Sequence, residues 1–140
     1  MSADTFLDTN VFVYHVDATD KAKHAIAERI VREGLLAGTT CISFQVAQEF
    51  LNVATRKFRR PLTPELAREY LDTVLAPMMK VPASVGLYQR ALDVQARWRF
   101  GFYDSLIVAA ALAAGCTRLL TEDLQDGQRI EALTIENPFR

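Results

Sequence analysis

Short apolar runs alternate along this chain with longer stretches of helical period, and that alternation is the tightest constraint on its fold. Parallel strands cannot be joined by a tight turn and need a helical crossover, so strand and helix taking turns predicts a parallel sheet with helices against it. The first run is Thr5 to Leu7, closed by Asp8. Others span Thr40 to Ser43, then Met78 to Val81 where Pro82 limits it, then a strand within Cys116 to Thr121, with a weak fifth at Leu133 to Ile135. A turn or short helix fits Asn10 to His15. Asp20 can cap a helix over Lys21 to Glu33, ended by Gly34 or Gly38. Ser43 reads as the cap of a helix over Gln45 to Lys57, with Val46, Phe50, Val53 and Ala54 as its stripe. Thr63-Pro64 opens a helix running to about Leu75 and stopping before Pro77. Ser84 starts another to about Trp98, and an alanine-rich helix from Tyr103 to Ala114 ends at Gly115. With right-handed crossovers, the expected fold is a three-layer α/β/α sandwich on a mostly parallel central sheet, one domain over residues 1–140.

At 140 residues the chain is long enough to bury a proper core, and 50% hydrophobic with 24% charged residues is a globular composition. The longest apolar stretch, Leu106 to Cys116, is broken by Gly115 and too short to span a bilayer. Met1 to Asp4 carry no basic flank and no apolar signal core, so a cytoplasmic protein without a membrane partner is expected. Cys41 and Cys116 lack metal-site spacing and read as two buried reduced thiols. His15 and His24 lack the arrangement of a metal-binding pair and read as surface or half-buried helix residues.

Four carboxylates carry the chemistry. Asp8 and Asp123 follow apolar runs, Glu49 sits in an early turn of its helix, and Asp104 opens one. In a parallel sheet the carboxyl ends of the strands share one edge, where ligands bind, so these acids can meet in one pocket. Read singly, each has an ordinary role as a cap, a turn residue or an exposed helix acid. Together they repel: two unit charges about 4 Å apart cost on the order of 4 kcal/mol at an effective dielectric near 20. Without a cation, one or more would titrate high. An oxygen-only site suits a hard divalent ion, Mg²⁺ or Mn²⁺. Thr9, Asn10 and Thr121 could support the acids or serve as turn and cap residues, and Glu122 and Asp126 are outer candidates or exposed turn residues.

A net charge of −1 decides nothing about nucleic acid, but its distribution is uneven. Arg56, Lys57, Arg59 and Arg60 cluster around Phe58, while Arg90, Arg97 and Arg99 surround Trp98 and Phe100. Beside a metal-loaded acidic pocket such a patch would hold phosphates, and Phe58, Trp98 and Phe102 could stack on unpaired bases. The plainer reading is basic helix ends and core aromatics. No Ser–His or Cys–His pair stands where a protein nucleophile would, which leaves water as the attacking group.

The segments Phe6-Leu7-Asp8-Thr9-Asn10, Ser43 through Gln48-Glu49-Phe50, Tyr103-Asp104-Ser105-Leu106-Ile107 and Leu120-Thr121-Glu122-Asp123-Leu124 resemble, in that order, the PIN-domain ribonucleases. More narrowly, the chain is similar to the VapC-type toxins of bacterial type II toxin–antitoxin pairs, including its ending Ile135 to Phe139. The resemblance implies Mg²⁺- or Mn²⁺-dependent cleavage of RNA to 5′-phosphate and 3′-hydroxyl ends, a homodimer, and a cognate antitoxin. It implies Asp8 and Asp104 as direct metal ligands, with Glu49 and Asp123 completing the set directly or through water. It also suggests an antitoxin tail crossing the groove, a basic side chain displacing the metal.

The alternatives are a catalytically silent binding module of the same fold and a structure-specific DNA nuclease. A dehalogenase-like phosphatase would need an acid where Asn10 stands, and a receiver domain would need one where the second strand ends in Ser43.

Overall fold

The computed structural model describes residues 3–140. Met1 and Ser2, on which part of the signal-sequence reading falls, lie outside them. Six strands form one sheet: β1 (Thr5–Leu7), β2 (Thr40–Ser43), β3 (Met79–Val81), β4 (Arg118–Leu120), β5 (Arg129–Ile130) and β6 (Leu133–Glu136), in the spatial order β3-β2-β1-β4-β6-β5. Every pairing is parallel except β5 with β6. The helices are α1 (Thr9–Val16), α2 (Lys21–Ala37), α3 (Phe44–Arg56), α4 (Pro64–Tyr70), α5 (Ala76–Met78), α6 (Val85–Trp98) and α7 (Phe102–Ala113).

The chain moves outward from β1 to β2 to β3, then returns to place β4 on the other side of β1. With right-handed crossovers, that reversal puts α1 through α5 on one face and α6 with α7 on the other. It also makes the β1–β4 boundary the switch point of the sheet. Phe6, Cys41 and Leu119, matched in register on three adjacent strands, are fully buried. They join Phe12 and Phe50 from the helices on one face and Ile107 from α7 on the other in one core. Among the described residues no helix is long and apolar enough to cross a membrane.

Most expected elements are present within a residue or two, and the departures have local causes. The second helix runs past Gly34 and stops at Gly38, whose φ of 70° reverses the chain. Gly34 is instead a packing glycine, since a Cβ there would meet Thr40 Oγ1 at 2.6 Å. Ser43 occupies the cap position of α3 but makes no side-chain cap bond. The helix from Pro64 does not end before Pro77: a π-helical turn at Leu71–Leu75 carries it into α5, which contains the proline. The wider turn, with Ala76 N–H donating to Leu71 O, eases the clash between the proline ring and the carbonyl four residues back. The sequence showed no sign of β5, because two residues are too few to alternate. It pairs with β6 in a hairpin through Glu131, which adopts a φ of 55°.

Candidate active site

The site is built on the switch point. Asp8 follows β1 directly, and its backbone N–H donates to Leu120 O of β4 at 3.0 Å, so the ends of the two strands are tied together. As the cap of α1, Asp8 accepts the Thr9 N–H on Oδ1 at 2.7 Å. Its Oδ2 accepts the Thr121 hydroxyl at 2.7 Å. Thr121 is fully buried and acts as a hub. While donating to Asp8, its Oγ1 accepts the Asp123 N–H at 3.1 Å and the Asn10 amide at 3.4 Å. The same Asn10 Nδ2 donates to Asp123 Oδ2 at 3.2 Å. From α1, the Thr9 hydroxyl donates to Glu49 Oε1 on α3 at 2.9 Å. Asp104 sits in the first turn of α7.

All four acids, with Thr9 and Asn10, line one cavity of about 310 Å³. Thr121 stands just behind it. A larger cavity, about 630 Å³, lies under α2 over the start of β1, β2 and β4 and is lined by Arg29, Glu33 and Arg118. Size therefore does not single out the site; the convergence of acids does.

Burial pushes the Asp8 carboxyl up to about 6, and repulsion from Asp123 and Glu49 adds to it, while the bonds from Thr121 and Thr9 hold it down. Burial, then Asp123, also raises Asp104. Among the described residues no three His, Cys, Asp or Glu side chains form a ready-made metal cage. The donor set is nonetheless one-sided. Asn10 Oδ1 and Gln45 Oε1 are buried acceptors without a partner, on residues lining the same cavity as the four carboxylates. Such a pocket calls for a cation or for donated hydrogens. Mg²⁺ meets both needs, since it takes one or two carboxylates and keeps several waters.

Other candidates fall elsewhere. Glu122 lines the cavity but is engaged by the Tyr14 hydroxyl at 2.5 Å and by Lys23 at 3.1 Å. Asp126 is held by Arg140 and the Asn137 N–H at the C-terminal end. Arg56, Lys57, Arg59 and Arg60 are exposed, and none lines the acidic cavity; Arg59 and Arg60 border a separate cavity of about 450 Å³ with Phe58. Arg97 lies over the Trp98 ring, and Arg99 caps α6 with a φ of 63°. Phe58, Trp98 and Phe102 are half-buried against the core. His15 meets Tyr70, and His24 meets the Tyr14 carbonyl, away from the acids. Cys41 and Cys116 are free and buried, with sulfurs 3.4 Å apart.

The sequence assigned no role at the site to Gln45 or to a Tyr14–Lys23–Glu122 group, in which Glu122 alone was an outer candidate or exposed turn residue. Gln45 had a local signal, since it precedes Glu49 by one helical turn and so shares its face. The other group joins residues about a hundred positions apart, and no local pattern announces it.

The PIN domain model matches residues 5–129, and the chain belongs to that family. Its fold is shared with toxin–antitoxin structures. A toxin–antitoxin complex from Klebsiella pneumoniae matches with a TM-score of 0.67 at 15% identity, covering 96% of this chain and 98% of that one. VapBC2 from Rickettsia felis, bound to a DNA fragment from its promoter, gives 0.67 at 20%, covering 95% and 97%. VapC20 of Mycobacterium tuberculosis, a toxin cleaving the sarcin–ricin loop, gives 0.62 at 21%, covering 83% and 87%. No curated relative matches the chain in sequence.

Proposed function

We propose that this chain is a divalent-metal-dependent endoribonuclease, the toxin of a type II toxin–antitoxin pair, forming one PIN-like domain over residues 1–140 and acting in the cytoplasm. The observation that carries the reading is the convergence of Asp8, Glu49, Asp104 and Asp123 on one cavity at the switch point of a PIN fold. The sarcin–ricin activity of the Mycobacterium tuberculosis neighbour supports RNA as the substrate. The complexes among the neighbours support an antitoxin partner.

Asp8 and Asp104 would hold Mg²⁺ or Mn²⁺, with Glu49 and Asp123 acting directly or through water. Once bound, the ion supplies Lewis acidity, lowering the pKa of the attacking water and offsetting charge on the scissile phosphate. The protein's share is orientation. Thr121 and the Thr9 N–H fix both oxygens of Asp8. The Thr9 hydroxyl turns Glu49, and Asn10 turns Asp123. Each of those two acids keeps an oxygen outside these bonds, able to accept a proton from the attacking water.

Arg56, Lys57, Arg59, Arg60, Arg97 and Arg99 are proposed to hold the RNA backbone, reaching phosphates away from the cleavage point. A homodimer is proposed through the exposed apolar stripe of Val85, Tyr88 and Leu92 on α6, next to Tyr103 at the rim of the cavity.

Purified protein incubated with a panel of structured RNAs, one carrying a sarcin–ricin loop, is expected to cleave with Mg²⁺ or Mn²⁺. Neither Asp8→Asn nor chelator-treated protein should cleave. Folded protein that binds metal yet cuts no RNA in the panel would favour the silent binding module, and cleavage confined to DNA would favour the DNA nuclease.

A further inference from the structure

Gln45 sits in the first turn of α3, one turn before Glu49, and is only 3% exposed. Its amide nitrogen donates to the carbonyl of Tyr103 at 3.1 Å, directly before Asp104 in α7. One side chain thus ties the helix carrying Glu49 to the helix carrying Asp104, across the acidic cavity it lines. Its other amide atom is the anomaly. Gln45 Oε1 is buried and receives no hydrogen bond from any protein group. A buried acceptor left unmet is unfavourable, and native proteins rarely keep one without an unseen water or ion to explain it. The amide cannot be turned to cure this, because its oxygen would then face the Tyr103 carbonyl at about the same 3.1 Å, acceptor against acceptor. The carboxylates around the cavity are acceptors too. An occupant of the cavity that Gln45 lines is a source for the hydrogen its Oε1 lacks.

We infer that Gln45 is a positioning residue whose amide oxygen accepts a hydrogen bond from the water shell of the divalent cation held by Asp8 and Asp104. The inference rests on the metal-dependent reading above and adds a residue to it. Groups that orient a metal's surroundings typically change its affinity tenfold to a hundredfold when removed.

The test is calorimetric titration of Mn²⁺ into four full-length proteins: wild type, Asp8→Asn, Gln45→Met and Gln45→Glu, each checked for its native circular dichroism and unfolding midpoint in chelator. Gln45→Met keeps the volume and loses both amide functions. Gln45→Glu keeps an oxygen acceptor but loses the donor to Tyr103. Wild type should bind Mn²⁺, Asp8→Asn should not, Gln45→Met should bind about tenfold more weakly, and Gln45→Glu should bind at least as tightly as wild type. Wild-type affinity in Gln45→Met would overturn the role of Gln45 while leaving the metal site standing. Equal weakening in Met and Glu variants would overturn it as well, since only the tether to Tyr103 would then matter. Failure of the wild type to bind Mn²⁺ would remove the metal-dependent reading and this inference with it.

Discussion

Replacing Asp8 by Asn should make the metal-free protein more stable while abolishing cleavage. Asp8 is 5% exposed, and its carboxyl is pushed from 3.8 up to about 6. Between those values the native protein holds a proton on Asp8 that the unfolded chain has released. The native state binds more protons there, so stability falls as pH rises through that window and stays reduced above it. At about 1.4 kcal/mol per unit, the shift corresponds to roughly 3 kcal/mol. Asn carries no charge and escapes this cost, and its oxygen can still accept the Thr9 N–H. Its amide hydrogens, however, face Thr121 Oγ1, which must give up an existing partner at a cost of about 1 kcal/mol. The expected gain is about 2 kcal/mol above pH 6, turning into a loss of about 1 kcal/mol below pH 4, where Asp8 is neutral in both states and only the Thr121 conflict remains. Urea denaturation in chelator at pH 4 and pH 8 measures it. A variant less stable than wild type at pH 8, or equally stabilised at both values, would refute the argument that the fold carries a buried charge for the sake of its site.

Thr121→Val removes the hub hydroxyl, leaving Asp8 Oδ2, Asn10 and the Asp123 N–H each short of a partner; a loss of about 1–3 kcal/mol is expected in denaturation. The same change should move the Asp8 titration above its present value of about 6, followed by carboxyl-carbon NMR, because the Thr121 bond holds it down. Gly34→Ala drives a methyl against Thr40 Oγ1 at 2.6 Å, which should cost about 1–3 kcal/mol and lower the melting temperature without altering metal affinity. Arg59→Ala with Arg60→Ala should flatten the salt dependence of RNA binding by a slope of about one to two; an unchanged slope would take both residues out of the RNA path.

Local chemistry was readable wherever a residue acts on its near neighbours. Asp20, Thr63 and Ser84 each cap the helix that follows them, because a cap bond spans only three residues. The acids were readable for a related reason: in a parallel sheet, standing after a strand or in the first turns of the next helix places a side chain at the carboxyl edge, whichever strand it is. What misled was context. Pro77 stays within a helix because a π-helical turn before it makes room, and Gly34 sits mid-helix because Thr40 on β2 packs against it. The basic clusters showed their charge in the sequence, yet they lie outside the acidic cavity.

The sequence by itself determined most of the elements, their alternation and the standing of the four acids at strand ends or in first helical turns, since each depends on periodicity and on residues within a turn or two. Only the tertiary structure decided that β4 returns beside β1, which brings Asp123 to Asp8 through Thr121. It alone tied α3 to α7 through Gln45 and paired Lys23 with Glu122. These contacts join residues distant in the chain, and their partners are chosen by the order of strands and the packing of helices on them. That order is a property of the whole core, and no local stretch of the chain encodes it.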